Sequence, residues 1–169
     1  MKTCCATGHR PQGFPWEKGK DEKLDNSYLH DMEKLLTQMI EDGYTHFISG
    51  GALGVDQDFA LTVLKLKKTF PHITLTIVKP CDNQDKKWKN TDKILYQTIQ
   101  TNADEVICLH PHYTRGCMQE RNRYMVEHSD TVLAWWNGEN SGGTYYTQMY
   151  AQKKGIPLKI THLIDYKNN

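Results

Sequence analysis

What most constrains this chain is a change of apolar period that repeats from end to end. Short apolar or β-branched runs, the mark of buried strands, alternate with longer segments whose apolar residues recur every three or four positions, the mark of helices. The strand-like runs are Cys4–Thr7, His46–Ser49, Ile73–Val78, Glu105–Leu109, Thr131–Trp135 and Pro157–Ile160. Between the first two, Tyr28 or Leu29, Met32, Leu35, Leu36, Met39 and Ile40 line one helical face that stops at Gly43. A second helix turns Val55, Phe59, Ala60, Val63 and Leu64 inward and ends before Pro71. Further helices are predicted over Thr91–Thr101, Cys117–His128 and Thr144–Lys154, the last capped by Gly155. Strands separated by whole helices cannot pair as hairpins, so the pattern predicts an α/β fold with a mostly parallel sheet and helices on both faces. The polar stretch Asp82–Asn90, with Trp88 in it, interrupts the rhythm and reads as a solvated loop. No repeat, low-complexity tract or linker divides the chain. Residues 1–169 therefore read as a single domain with its core over about 3–161, and Lys167–Asn169 as a frayed end.

Composition removes several functions. Twenty-one Lys and Arg against 20 Asp and Glu leave a net charge of +1, which is no field for wrapping duplex nucleic acid, although a local basic groove stays open. At this length roughly 70 % of the unfolded chain's surface can be buried, so a core forms without disulfides or a structural metal. No run of about 18 apolar residues offers a membrane span, and Met1–Cys5 leads into a short apolar stretch unlike a secretory leader, so a cytoplasmic location is expected. Five scattered cysteines read as reduced thiols, with the adjacent Cys4 and Cys5 on opposite faces of a strand. No Cys or His pair has metal-ligand spacing, and His110 and His112 lack a third ligand, so neither metal nor cofactor is expected.

In a parallel sheet, ligands bind beyond the carboxyl ends of the strands. Three loops there have unusual composition: Thr7–Pro11 (TGHRP), Ser49–Asp56 (SGGALGVD) and Ser141–Thr144 (SGGT). Glycines let a backbone approach a bulky anion, and the helix that follows offers unpaired N–H groups and partial positive charge. Two such loops, each with a serine beside the glycines, point to a phosphate-bearing small molecule. Neither loop has the lysine of a Walker motif, and no GxGxxG follows the first strand, so P-loop hydrolysis and the usual dinucleotide fingerprint lack support. His9 and Arg10 would reach the same edge, Arg10 with a fork suited to phosphate. The plainer alternative is that Arg10 pairs with an acidic neighbour and His9 caps a turn. Met118, Arg121 and Met125 share a helical face, which makes Arg121 either a snorkelling stem or a cation aimed at a ligand. Asp56 suits a helix N-terminus for stability alone, or holds a ribose hydroxyl. Trp88, Tyr113 and Trp136 are candidates to stack on a base, with core or rim packing as the alternative for each.

Taken together, CCATGHRP, ISGGALGVDQDFA, MQERNRYM and SDTVLAWWNGENSGGTYYTQMYAQKKGIPL resemble the YpsA-like family of the SLOG superfamily, whose relatives include the DNA-processing protein DprA/Smf and the LOG phosphoribohydrolases. The resemblance runs from Cys4 to about Ile160. It implies a Rossmann-like domain holding a nucleotide or nucleotide-derived ligand over Gly8, Gly50, Gly51, Gly142 and Gly143; with the loop and helix residues read above, the expected site for such a ligand, an ADP-ribose-like signal for example, is Gly8, His9, Arg10, Ser49, Gly50, Gly51, Gly54, Asp56, Arg121, Ser141, Gly142, Gly143 and Thr144. It also implies a sensor or sequestering protein, since similar domains are associated with nucleotide signals in bacterial and phage conflict. Two alternatives follow from the relatives. A LOG-like hydrolase that cleaves the N-glycosidic bond of a nucleoside monophosphate would use Glu120 and Arg121, which match the arginine hallmark. The second hallmark, a glutamate soon after the last glycine loop, is missing, because Tyr145–Gln148 holds no acid. DprA-like binding of single-stranded DNA would use Lys86, Lys87, Lys89, Arg121 and Arg123 beside Trp88. A homodimer seam through Trp135, Trp136, Tyr145 and Tyr146 is a further expectation, with core packing of Trp135 as its rival.

Overall fold

The computed structural model describes residues 1–168; of the expected frayed end, Asn169 lies outside the described residues. Six strands and five α-helices follow in strict alternation: β1 (Lys2–Gly8), α1 (Glu22–Glu41), β2 (Tyr44–Ser49), α2 (Val55–Lys67), β3 (Thr74–Lys79), α3 (Asn90–Asn102), β4 (Glu105–Cys108), α4 (Cys117–Glu127), β5 (Thr131–Trp136), α5 (Gly142–Lys153) and β6 (Leu158–His162). Short 3-10 turns add Pro11–Gly13 after β1 and Leu163–Tyr166 after β6. Every strand pair is parallel, in the order β4-β3-β2-β1-β5-β6. The chain is thus a single-domain, Rossmann-like α/β protein.

The two faces of the sheet carry separate cores. Cys4, Phe47, Leu75 and Ile77 meet Met32 and Leu36 of α1, Phe59 and Val63 of α2 and Ile99 of α3. On the other face Cys5, Ile48, Val78 and Val132 meet Met125 and Val126 of α4 and Ala151 of α5. Period-two alternation therefore sends Cys4 and Cys5 into different cores, as expected, and all five cysteines are free thiols.

Three boundaries differ from the sequence reading. Helix α1 begins at Glu22, one turn and a half before the apolar stripe, because the Asp21 side chain accepts from the Leu24 N–H (3.1 Å) and Glu22 and Asp25 suit its first turn. Gly142 and Gly143 belong to the first turn of α5 rather than to a loop before it. Beyond Ile160 the chain still packs, with Leu163 in the first core and the Tyr166 hydroxyl donating to Asp31 (2.7 Å). The stretch Asp82–Asn90 is likewise only partly a solvated loop, because Gln84 is buried inside it.

The connectivity decides where a ligand crevice opens. From β1 the chain steps outward through β2, β3 and β4, then crosses back to lay β5 on the other side of β1. The crossovers at the carboxyl ends of β1 and β5 leave in opposite directions, which makes that place the switch point of the sheet.

Candidate functional site

A cavity of about 320 Å³ occupies the switch point. Its β1 side is Thr7, Gly8, His9 and Arg10, and Ala52 and Leu53 come from the loop after β2. The rest comes from the first turns of three helices: Asp56 of α2, Met118 and Gln119 of α4, and Gly143 and Thr144 of α5, with Arg121 and Asn122 one turn further along α4. Three helix N-termini thus converge on one hollow, each bringing partial positive charge. A larger hollow of about 880 Å³ lies by Phe14, Trp16, Glu17 and Lys20, among exposed charges of both signs and apart from the strand ends.

Arg121 sets the character of the cavity. It is 4 % exposed, so a snorkelling stem is not what the structure holds. Its Nη1 donates to the Gly50 carbonyl (2.7 Å), the Val78 carbonyl (3.4 Å) and Gln84 Oε1 (3.3 Å), and its Nε to Asn122 Oδ1 (2.9 Å). Nη2 has only the Met118 sulfur, at 3.9 Å. Among the described residues no carboxylate oxygen lies within 4.0 Å of this guanidinium. Burial works against its charge, while Asp56 supports it and Arg10 opposes it.

Asp56 is 7 % exposed and faces the same cavity. Its Oδ2 accepts one long bond from the Ala52 N–H (3.3 Å). Burial raises its pKa, against the pull of Arg121, the Ala52 N–H and Arg10. Gly50 stands between the two charges, since a side chain begun there would meet Arg121 Nη1 at 2.5 Å and Asp56 Oδ2 at 2.7 Å. Arg10 is exposed at the rim and makes no ion pair among the described residues.

The remaining residues singled out from the sequence fall into three groups. Ser49 is 0 % exposed, and its hydroxyl donates to the Asp56 carbonyl (2.7 Å) and accepts from the Gly51 N–H (3.2 Å). Gly8, Gly51 and Gly54 are sites of close approach within the protein: added side chains would meet Val55, Tyr96 and the His9 carbonyl. On α5, by contrast, Ser141, Gly142 and Gly143 are exposed, and the Ser141 side chain makes no cap bond. Glu120 is turned away from its neighbour Arg121 and pairs with His110 at 2.6 Å, off the cavity, because successive helical residues point about 100° apart. The structure does not bring the two candidate catalytic residues together. Nor does it join Arg121 to Lys86, Lys87 and Lys89, which are exposed. Trp88 packs on Tyr96 (5.0 Å), Trp136 stacks on Tyr145 (6.3 Å) and Tyr113 is exposed, none of them lining the cavity. Trp135 belongs to the first core against Phe59 (6.2 Å). The sequence alone does not mark Gln84, Gln119 and Asn122; the signal for the last two is their spacing from Met118 and Arg121, and for Gln84 its place after β3 at the same edge.

His9 is a brace with a pH signature. Its Nε2 accepts from the Asn137 N–H (3.0 Å), and its carbonyl accepts from the Val55 N–H (3.1 Å), tying the loops after β1, β2 and β5 together. The accepting Nε2 requires a neutral ring, and burial lowers its pKa below the usual 6.5, with Glu139 opposing. The unfolded chain therefore takes up this proton first as pH falls, so the stability present above about pH 6.5 is lost below it. Thermal melts at about pH 7.5 and about pH 5.5 should show the wild type losing more than His9→Gln, whose amide oxygen also accepts. Equal losses would mean that the ring does not titrate in this way.

Among the described residues no helix is long and apolar enough to cross a membrane, and no group of three His, Cys, Asp or Glu is placed to hold a metal ion.

Comparison with known proteins adds the kinship. The chain is 36 % identical over 153 residues to the uncharacterized SPbeta prophage-derived protein YoqJ of Bacillus subtilis, covering 83 % of this chain and 87 % of that protein. It is 32 % identical over 125 residues to a UPF0398 protein of Brevibacillus brevis (73 % of this chain, 66 % of the relative) and 29 % identical over 148 residues to one of Bacillus pumilus (86 % and 79 %). A model of the YspA SLOG family, YpsA, matches residues 4–167. With nearly its whole length inside that match, the chain belongs to the YspA SLOG family.

Proposed function

We propose that this protein binds a nucleotide or nucleotide-derived small molecule, such as an ADP-ribose-like signal, through its phosphate at the switch-point cavity, as a sensor or sequestering protein. The observation that supports this reading best is Arg121: a cation 4 % exposed, lining a cavity, with no carboxylate in contact. Asp56 supports this charge only from across Gly50, so the buried guanidinium keeps no direct counter-ion contact among the described residues, and a phosphate entering the cavity would supply one. Arg10 and the helix N-termini add to the same attraction. The Glu120–Arg121 pair of the hydrolase alternative gains no support, because Glu120 is engaged with His110 away from the cavity.

A thermal-shift screen with AMP, ADP-ribose, NAD and cyclic nucleotides tests the reading. A ligand at a hundred times its dissociation constant adds about 2.7 kcal/mol to the folded state, which for a domain of this size is a rise on the order of 5–10 °C. No rise with any phosphorylated compound would overturn it.

A further inference from the structure

A second hollow of about 290 Å³ opens between α4 and α5, lined by Gln119, Asn122, Arg123, Gly143, Tyr146, Thr147 and Tyr150. It shares Gln119, Asn122 and Gly143 with the switch-point cavity. These three form the saddle between the hollows, and its composition is informative. Gly143 has no positive φ, and a side chain begun there would meet nothing closer than Asn122 Nδ2, at 3.8 Å. Neither backbone conformation nor packing demands glycine at this position, yet its lack of a side chain keeps the saddle low. Asn122 is oriented by its neighbour: Arg121 only donates, so the Asn122 oxygen faces it (2.9 Å) and the NH₂ group is left at the saddle.

The two hollows differ in chemistry. The first has Arg121, Arg10 and Asp56; the second has two tyrosines one turn apart on α5 facing Arg123 and the Gln119 amide of α4. Tyr146 is 60 % exposed, so its ring is accessible. Tyrosine and arginine planes accept a flat heterocycle, and side-chain amides can bond its edge. Size agrees, since ligand pockets span roughly 300–1,000 Å³ and the first hollow alone is at the bottom of that range.

We infer that the α4–α5 hollow is the base subsite of the ligand, so that a nucleoside monophosphate would lie across the Gly143 saddle, phosphate towards Arg121 and base against Tyr146. The inference rests on the phosphate reading above and adds the class and direction of the ligand to it.

Calorimetric titration of the full chain with inorganic phosphate, ribose 5-phosphate, AMP and CMP tests it, using the wild type, Tyr146→Ala and Gly143→Leu. At least one nucleotide should bind roughly tenfold or more tightly than ribose 5-phosphate, the scale of one base stacked on an aromatic ring. Tyr146→Ala should remove most of that advantage while leaving ribose 5-phosphate within about twofold. Gly143→Leu fills the saddle that both hollows share, so it should weaken ribose 5-phosphate and the nucleotides together, the nucleotides more, and as a second variant it does not depend on the tyrosine. Equal binding of ribose 5-phosphate and both nucleotides would overturn the base subsite and leave the phosphate reading standing, as would a Tyr146→Ala protein that loses ribose 5-phosphate and the nucleotides alike. No binding of any of the four probes would overturn the base subsite, and the phosphate reading falls with it when the thermal screen is flat as well.

Discussion

Replacing Gly54 by alanine is expected to lower the melting temperature by roughly 6–20 °C, for about 3–5 kcal/mol of lost stability. Gly54 is the cap of α2, with φ +91 and ψ −128, a region that side chains other than glycine avoid. An added side chain would also fall well inside 3.0 Å of the His9 carbonyl and meet the Arg10 Cα at 2.9 Å. Both obstacles are backbone, and the same carbonyl already accepts from Val55, so neither can step aside without opening the junction of β1 with α2. Strain and overpacking therefore add. Gly143→Ala is the matched control: its φ is ordinary and its surroundings open, so the melt should stay within a degree or two of the wild type or rise slightly, since alanine favours the helix. Calorimetric melts of both variants decide the matter. A Gly54→Ala protein that melts within two degrees of the wild type would show that the loops after β1 and β2 are not locked together as described.

The other large effect is on binding. Arg121→Met is expected to weaken any phosphate-bearing ligand at least 100-fold, because two charge-assisted bonds of about 1.5 kcal/mol each are lost. Stability should move much less. The variant strands acceptors at Val78 and Gln84, which costs about 1–3 kcal/mol each, but it also removes a guanidinium whose own burial is costly. The Gly50 carbonyl keeps its bond from Gln84 Nε2 (3.3 Å). Arg121→Lys should fall between, retaining charge without the fork. The checks are calorimetric affinity for the strongest ligand of the thermal screen and a near-ultraviolet circular dichroism spectrum to confirm packing. Undiminished affinity in a folded Arg121→Met protein would remove Arg121 from the site.

Much of the architecture was legible in the sequence. Six strands appear where the apolar runs predicted them, since period two and period 3.6 are local properties of the chain and parallel pairing follows from the helices between strands. Less legible were features whose cause is polar. The first turns of α1 carry one inward apolar residue, Leu24, which makes no stripe, so the Asp21 cap marks their start. Gly142 and Gly143 carry the composition of a loop, although the structure places them in the first turn of α5.

The candidate site divides in the same way. Short-range chemistry, glycines after strands and an arginine and an aspartate near helix starts, pointed to the carboxyl edge of the sheet, where the switch-point cavity opens, because every parallel strand delivers its following loop there. Which of those groups face one another was not a local property. Glu120 and Arg121 are neighbours with equal claim in the sequence, and only the packing of α4 over the loop after β2 buries one and leaves the other with His110. The glycines of Ser49–Asp56 likewise acquire their meaning from groups distant in the chain: Arg121 and Asp56 at Gly50, Tyr96 at Gly51 and the His9 backbone at Gly54. The sequence by itself determined the fold class and the rim at which the glycine loops, Arg10, Asp56 and Arg121 gather. The tertiary structure decided which charge is buried, which glycine is open and what each touches, because those depend on the order of strands in the sheet and on contacts between residues remote along the chain.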